Sequence, residues 1–197
     1  IISLQEKGIE YMQRVIEDYP EEDSSTILGH EQLGDYYLKN NSFIKAEKHF
    51  RIVIENYYSK NRSGTTGLAD LKLCQTILES EQSEKYKDAY EIATEKFEKT
   101  GGELMMNSDK FYYADLMANL CYRMDRKDEA SEFAISALEL SNITEPQFNR
   151  HKTVGLIKAK MEQLKRLEKI KEKKSLVKTT AKNNSSLGAK LKNLFKK

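Results

Sequence analysis

Tryptophan is absent from this 197-residue chain and proline occurs only twice, at Pro20 and Pro146. So few helix breakers favour long helices over turn-rich sheet structure. Apolar runs never exceed four residues, so no transmembrane helix is expected. The opening Ile1-Ile2-Ser3-Leu4 has no basic stretch and no long apolar core, so no signal peptide is expected. It also lacks an initiator methionine, which reads as a fragment or a processed chain; a cytoplasmic location is the expectation. The two cysteines, Cys74 and Cys121, each fall within an apolar helical stripe, where small buried residues are expected rather than a disulfide. His30, His49 and His151 are scattered, with no His-x-x-x-His or Cys-x-x-Cys spacing for zinc. Neither Gly-x-Ser-x-Gly nor a phosphate-cradling Gly-Lys-Ser/Thr loop is present, and Gly64-Thr65-Thr66-Gly67 lacks the following lysine. No catalytic residue, cofactor or metal is therefore expected, and the chain reads as a non-enzyme.

What the chain does have is charge, 32% of its residues, unevenly placed. Residues 1–151 hold 18 Lys and Arg against 28 Asp and Glu, whereas residues 152–197 hold 15 against 3. An acidic body carries a basic tail, a contrast that the net +2 conceals.

Apolar periodicity predicts a helix over residues 1–19 ended by Pro20, and helices near 26–39 and 43–58. A Gly/Ser/Thr/Asn-rich loop over 59–67 precedes helices at 68–80 and 85–100. Gly101-Gly102 breaks the chain before helices at 109–124, with Ser108 or Asp109 as cap, and from 127 to about 141. Val15-Ile16-Glu17-Asp18-Tyr19 matches Val53-Ile54-Glu55-Asn56-Tyr57 but for one Asp/Asn change, an internal repeat that aligns Gly8 with Ala46. The small-residue anchors Gly8, Ala46, Ala89 and Ala130 are 38, 43 and 41 residues apart.

The most informative stretch is Leu33-Gly34-Asp35-Tyr36-Tyr37, followed after a polar turn by Ala46-Glu47-Lys48-His49-Phe50. Its Leu-Gly-x-x-Tyr and Ala-x-x-x-Phe spacing resembles the helix-turn-helix unit of tetratricopeptide repeats, over about residues 1–142. Gly34 and Ala46 are expected to face each other at the closest helix approach, with Leu33, Tyr37 and Phe50 around them. Ala89, Ala118 and Ala130 take comparable packing positions in later pairs, and Ile77 is expected at the glycine position of the third. The chain then opens on the second helix of a repeat whose first helix is missing. The expected fold is all-α: a right-handed α-solenoid of antiparallel helix pairs over 1–146, a capping or extended helix over 147–174, and a disordered basic tail over 175–197.

The resemblance implies a protein–protein interaction scaffold whose concave face, lined by first helices, holds a peptide or partner segment. Carried onto this sequence, that face comprises Leu28, Glu31, Asp35, Leu38, Cys74, Glu81, Tyr112, Asp115, Asn119 and Tyr122. Family members that clamp a chaperone's C-terminal carboxylate use Lys and Asn there; only Asn119 fits, and Glu31 and Asp35 would repel a carboxylate. A basic peptide suits acids flanked by Tyr112 and Tyr122 better, through charge pairing and cation–π contact. Peptide-sensing bacterial regulators, whose repeats are also near 40 residues, are an alternative. A third reading rests on the tail, where Leu187, Leu191, Leu194 and Phe195 share one helical face among lysines. Such a segment suits an anionic membrane surface or a partner groove better than nucleic acid, since the last 30 residues contain no arginine. The tail is also a candidate to fold back on the acidic body.

Overall fold

The computed structural model describes residues 4–20, 23–60 and 62–173. Among these the fold is all-α, without strands, and it divides into two compact units, Ile1–Glu103 and Leu104–Lys197. Each unit is described by itself.

The first unit contains α1 (Leu4–Asp18), α2 (Asp23–Lys39), α3 (Phe43–Ser59) and α4 (Ala69–Glu79). A further helical stretch opens with a 3-10 turn (Ser83–Lys85), runs through α5 (Tyr86–Glu91), widens into a π turn (Ile92–Lys96) and closes in α6 (Phe97–Lys99). Each helix lies against the next, and α2 also touches α4. Leu33, Ala46, Phe50 and Val53 are buried between α2 and α3. A Cβ placed on Gly34 would come within 2.6–2.9 Å of the Phe50 ring, so the aromatic ring, rather than Ala46, is what the glycine admits.

The second unit contains α7 (Asn107–Arg123), α8 (Lys127–Ser141) and α9 (Met161–Lys171). Small side chains line the α7–α8 contact: Ala114, Ala118, Ala130, Ala134 and Ala137 are fully buried. Beside them Tyr113 meets Phe133 edge-on, ring centres 6.0 Å apart. At the start of α7 the Asp109 carboxylate accepts the Met106 N–H at 3.3 Å, as a first-turn acid does. α9 lies on both α7 and α8, burying Leu167 and Ile170, while the Ser131 hydroxyl donates to the Lys171 carbonyl at 3.0 Å.

One turn recurs. After α2 the Ser42 N–H reaches back to the Tyr37 carbonyl and the Asn41 N–H to Leu38, with Asn41 at φ 55°. After α4 the same pair runs from Gln82 to Ile77 and from Glu81 to Leu78, with Glu81 at φ 56°. After α7 it runs from Arg126 to Cys121 and from Asp125 to Tyr122, with Asp125 at φ 58°. Each is a Schellman closure, which uses the helix's last carbonyls and turns the chain sharply. Gly101, at φ 78°, closes α6 in the same way.

Superposing these turns resets the repeat register. Counting back from Asn41, Glu81 and Asp125, the position of Gly34 falls on Cys74 and Ala118, not on Ile77. Cys74 is fully buried and its thiol lies 3.2 Å from the Ala89 carbonyl, a close approach that only a small residue permits. The 3-10 turn Ser83–Lys85 displaces the following helix by three residues, which is why Ala89 rather than Tyr86 serves as the small anchor.

The expected helix over 147–174 is corrected at its N-terminal side. Only Met161–Lys171 is helical; residues 143–160 form turns and extended chain. Gly155 adopts φ 74°, in contact with the Gln147 side chain, and the Gln147 amide bridges the Asn107 N–H (2.8 Å) and the Met105 carbonyl (2.9 Å). These bonds hold the segment against the start of α7 instead of letting it coil. Lys160 is extended, and its N–H is taken by Gln163 at 3.0 Å, which starts α9 there.

Candidate interaction surface

The residues expected to line an acidic groove are largely engaged within the fold. Glu31, 1% exposed, accepts the Thr66 N–H at 2.8 Å, the Thr66 hydroxyl, and Lys72 Nζ at 3.1 Å. Asp35 shares Lys72 at 2.7 Å; burial raises its carboxyl against the lowering effect of that lysine. In the second unit Asp115 accepts from Asn119 (3.0 Å), Gln163 (3.0 Å) and Arg166 (3.1 and 3.3 Å). Glu31 and Asp115 occupy equivalent places on α2 and α7. Each binds a cation from the helix two further on, Lys72 of α4 or Arg166 of α9. The two acids are therefore staples between successive first helices, and the carboxylates that would repel an anion or attract a basic peptide already have their counter-ions.

The other expected groove residues scatter. Glu81 sits in the left-handed turn after α4, not on a helix face. Leu38, Tyr112 and Asn119 are half-buried, and Leu28 and Tyr122 are exposed. Cys74 is inside the core, its thiol pushed far up by burial, and the Cys121 thiol is pushed up to about 12. Neither cysteine is a nucleophile at neutral pH. Leu33, Ala46, Phe50, Ala89, Ala118 and Ala130 are buried, and Tyr37 is half-buried. Leu187, Leu191, Leu194 and Phe195 lie outside the described residues.

Two clusters escaped sequence reading. Arg62, in the loop between α3 and α4, is sandwiched between the Tyr57 ring (4.4 Å) and the Phe97 ring (4.9 Å). Its guanidinium grips the Asp70 carboxylate at 2.6 and 3.3 Å and donates to the carbonyls of Gly67 (2.6 Å), Thr100 (3.0 Å) and Phe97 (3.2 Å). Asp70 is 1% exposed; burial pushes its carboxyl up, and Arg62 only partly offsets this. An arginine in a polar loop looks solvated in sequence; the nearest signal was a lone acid, Asp70, on an otherwise apolar helix face. The second cluster joins His30 of α2 to His49 of α3, Nδ1 to Nδ1 at 2.8 Å. Ring centres 5.1 Å apart put the two nitrogens head-on, so the rings share a proton rather than chelate a metal. Tyr37 stacks on His49 at 5.4 Å. Burial, then His30 and Lys48, lower His49 to about 4.

A concavity lies between α1 and α2. At their joined end the helices touch, a Cβ on Gly29 meeting Ile16 at 3.3 Å. At the other end they splay, and a Cβ on Gly8 would meet nothing within 4 Å. The wedge between them, about 370 Å³ and open to solvent, is lined by Gly8, Ile9, Met12, Gln32, Asp35, Tyr36 and Lys39. Gly8 therefore does not repeat the tight contact made at Ala46. Along α1, Ile9, Met12, Val15 and Ile16 are only half-buried, and Tyr11 and Tyr19 are each 59% exposed. Among the described residues no helix is long and apolar enough to cross a membrane. Compared with protein-family models, curated proteins and solved structures, the chain matches none.

Proposed function

We propose that this chain is a protein–protein interaction module built from tetratricopeptide-like helix pairs, binding a peptide or partner segment on the faces of its first helices. The observation that carries the reading is the shared build of the pairs. α2, α4 and α7 each end in the same left-handed Schellman turn, each places a small residue seven positions before it, and α2 and α7 each staple the next first helix through an acid. A module that repeats its own stacking rule leaves, within each unit, first-helix faces for a partner. The step from architecture to binding is one of analogy.

The test is capture of protein by the full-length chain from its source organism, followed by direct binding of the segment identified. Binding should weaken at least fivefold on Leu28→Ala or Tyr122→Ala, exposed positions on α2 and α7. Capture of only lipid or nucleic acid, or of protein with affinity indifferent to both substitutions, would refute the reading.

A further inference from the structure

We propose that the wedge between α1 and α2 is a docking groove for a basic amphipathic helix of a partner protein; this rests on the interaction-module reading and gives it a place and a chemistry. The wedge has an apolar floor, Ile9 and Met12 from α1 beside the Tyr36 ring from α2, and Gly8 leaves room above it. A cleft between two splayed helices is filled naturally by the apolar stripe of a third. Charge selects the kind of third helix. Between residues 4 and 39 the sequence carries nine Asp or Glu against three Lys or Arg (Lys7, Arg14 and Lys39). Glu10 and Glu17 are exposed along α1 and supply this charge, since Asp35 at the wedge is already held by Lys72. An acidic pair of helices favours a lysine- or arginine-rich visitor and repels an acidic one.

The second unit seats a helix of just this chemistry. α9 has four Lys or Arg against two Glu, buries Leu167 and Ile170, and sets Arg166 on Asp115. In α9 the occupant is covalently part of the chain, whereas among the described residues the wedge between α1 and α2 is open to solvent.

The test titrates the full-length chain into two labelled synthetic peptides with Leu or Phe at i, i+4, i+7 and i+8. One carries Lys at the remaining positions and the other carries Glu. The Lys peptide should bind saturably and at least tenfold more tightly than the Glu peptide. Gly8→Leu should weaken it at least tenfold more, by filling the wedge. A Cβ at that position meets no neighbour, and the substitution removes a glycine from a helix interior, so its thermal midpoint should equal or exceed that of the unaltered chain. Tyr36→Ala, which enlarges the wedge instead of filling it, should also weaken binding, and hydrogen exchange should show new protection in residues 6–16 and 32–39. Equal binding by a normally folded Gly8→Leu chain, equal binding of the two peptides, or protection confined elsewhere would overturn the proposal. Self-association abolished by Gly8→Leu would assign the groove to a second copy and overturn the partner assignment. Partner segments that bind the Gly8→Leu chain undiminished would sink this groove while leaving the interaction module standing. A chain that captures no protein at all fails the broader reading first.

Discussion

Replacing Arg62 with leucine would strip a buried carboxylate of its counter-ion and three backbone carbonyls of a donor. Among the described residues the guanidinium is the one side chain that donates to the Asp70 carboxylate, and it joins the α3–α4 loop to the end of α6. Breaking a buried ion pair by removing one member costs about 3–5 kcal/mol. The lost contacts with Tyr57 and Phe97 add about 0.5–2 kcal/mol if they behave as desolvated cation–π pairs. Against a whole-domain stability of ~5–15 kcal/mol, Arg62→Leu should unfold the first unit at a much lower urea concentration. Arg62→Lys keeps the charge but loses the planar fork, and should lose at least half as much. Asp70→Leu with Arg62→Leu should cost less than the sum of the single changes by at least ~1.5 kcal/mol, since the pair is removed together. Urea denaturation of the unaltered chain and the four variants, followed by far-UV circular dichroism, measures all of this. A loss under ~1 kcal/mol for Arg62→Leu, or strict additivity in the double variant, would refute the claim that the cluster fastens this unit.

Gly34→Ala should destabilise by about 1–2 kcal/mol, overpacking at Phe50 outweighing the gain in helix propensity, and Phe50→Leu should restore part of the loss. Thermal melts of the single and double variants check this. Glu81→Gly should stabilise by about 0.5–1 kcal/mol, because a left-handed φ of 56° strains a side chain; an unchanged melting midpoint contradicts it. His49, folded at about 4 and near 6.5 unfolded, contributes stability that is complete above pH 6.5 and is lost as pH falls through about 4. Discounted for its partial exposure, the effect is of order 1–2 kcal/mol. Urea titrations at pH 7 and pH 4.5 should therefore show a smaller drop for His49→Gln than for the unaltered chain, and equal drops would contradict the assignment.

Much of the helix layout was legible because it rests on local signals. Pro20, Gly101-Gly102 and the polar turns at 40–42 and 125–128 bracket the helices to within a few residues. Buried Ala130 and Ala134 were readable for the same reason, since a four-residue spacing of small side chains marks one helical stripe. The failures share a different origin. Residues 147–160 have an apolar period compatible with a helix, but two bonds from Gln147 to the start of α7 decide the matter, and those are tertiary. Ile77 looked like the glycine equivalent because a three-residue 3-10 turn is invisible as periodicity. Glu31 and Asp115 looked like ligand-facing acids because charge in sequence carries no record of its partner. Lys72 and Arg166 lie 41 and 51 residues away, beyond any helical period.

The π turn at Ile92–Lys96 has an angular consequence. A π turn accommodates one residue more than the α-helix around it, so everything after it is rotated by about 100° relative to an uninterrupted helix. Phe97 and Thr100 come after it, and both face Arg62. Deleting a single residue between 92 and 96 would let the helix run true and swing the Phe97 ring and its carbonyl away from the guanidinium. The chain thus sets the aim of the Arg62 loop by an insertion in a helix about thirty residues downstream, much as a shim sets the angle of a bracket.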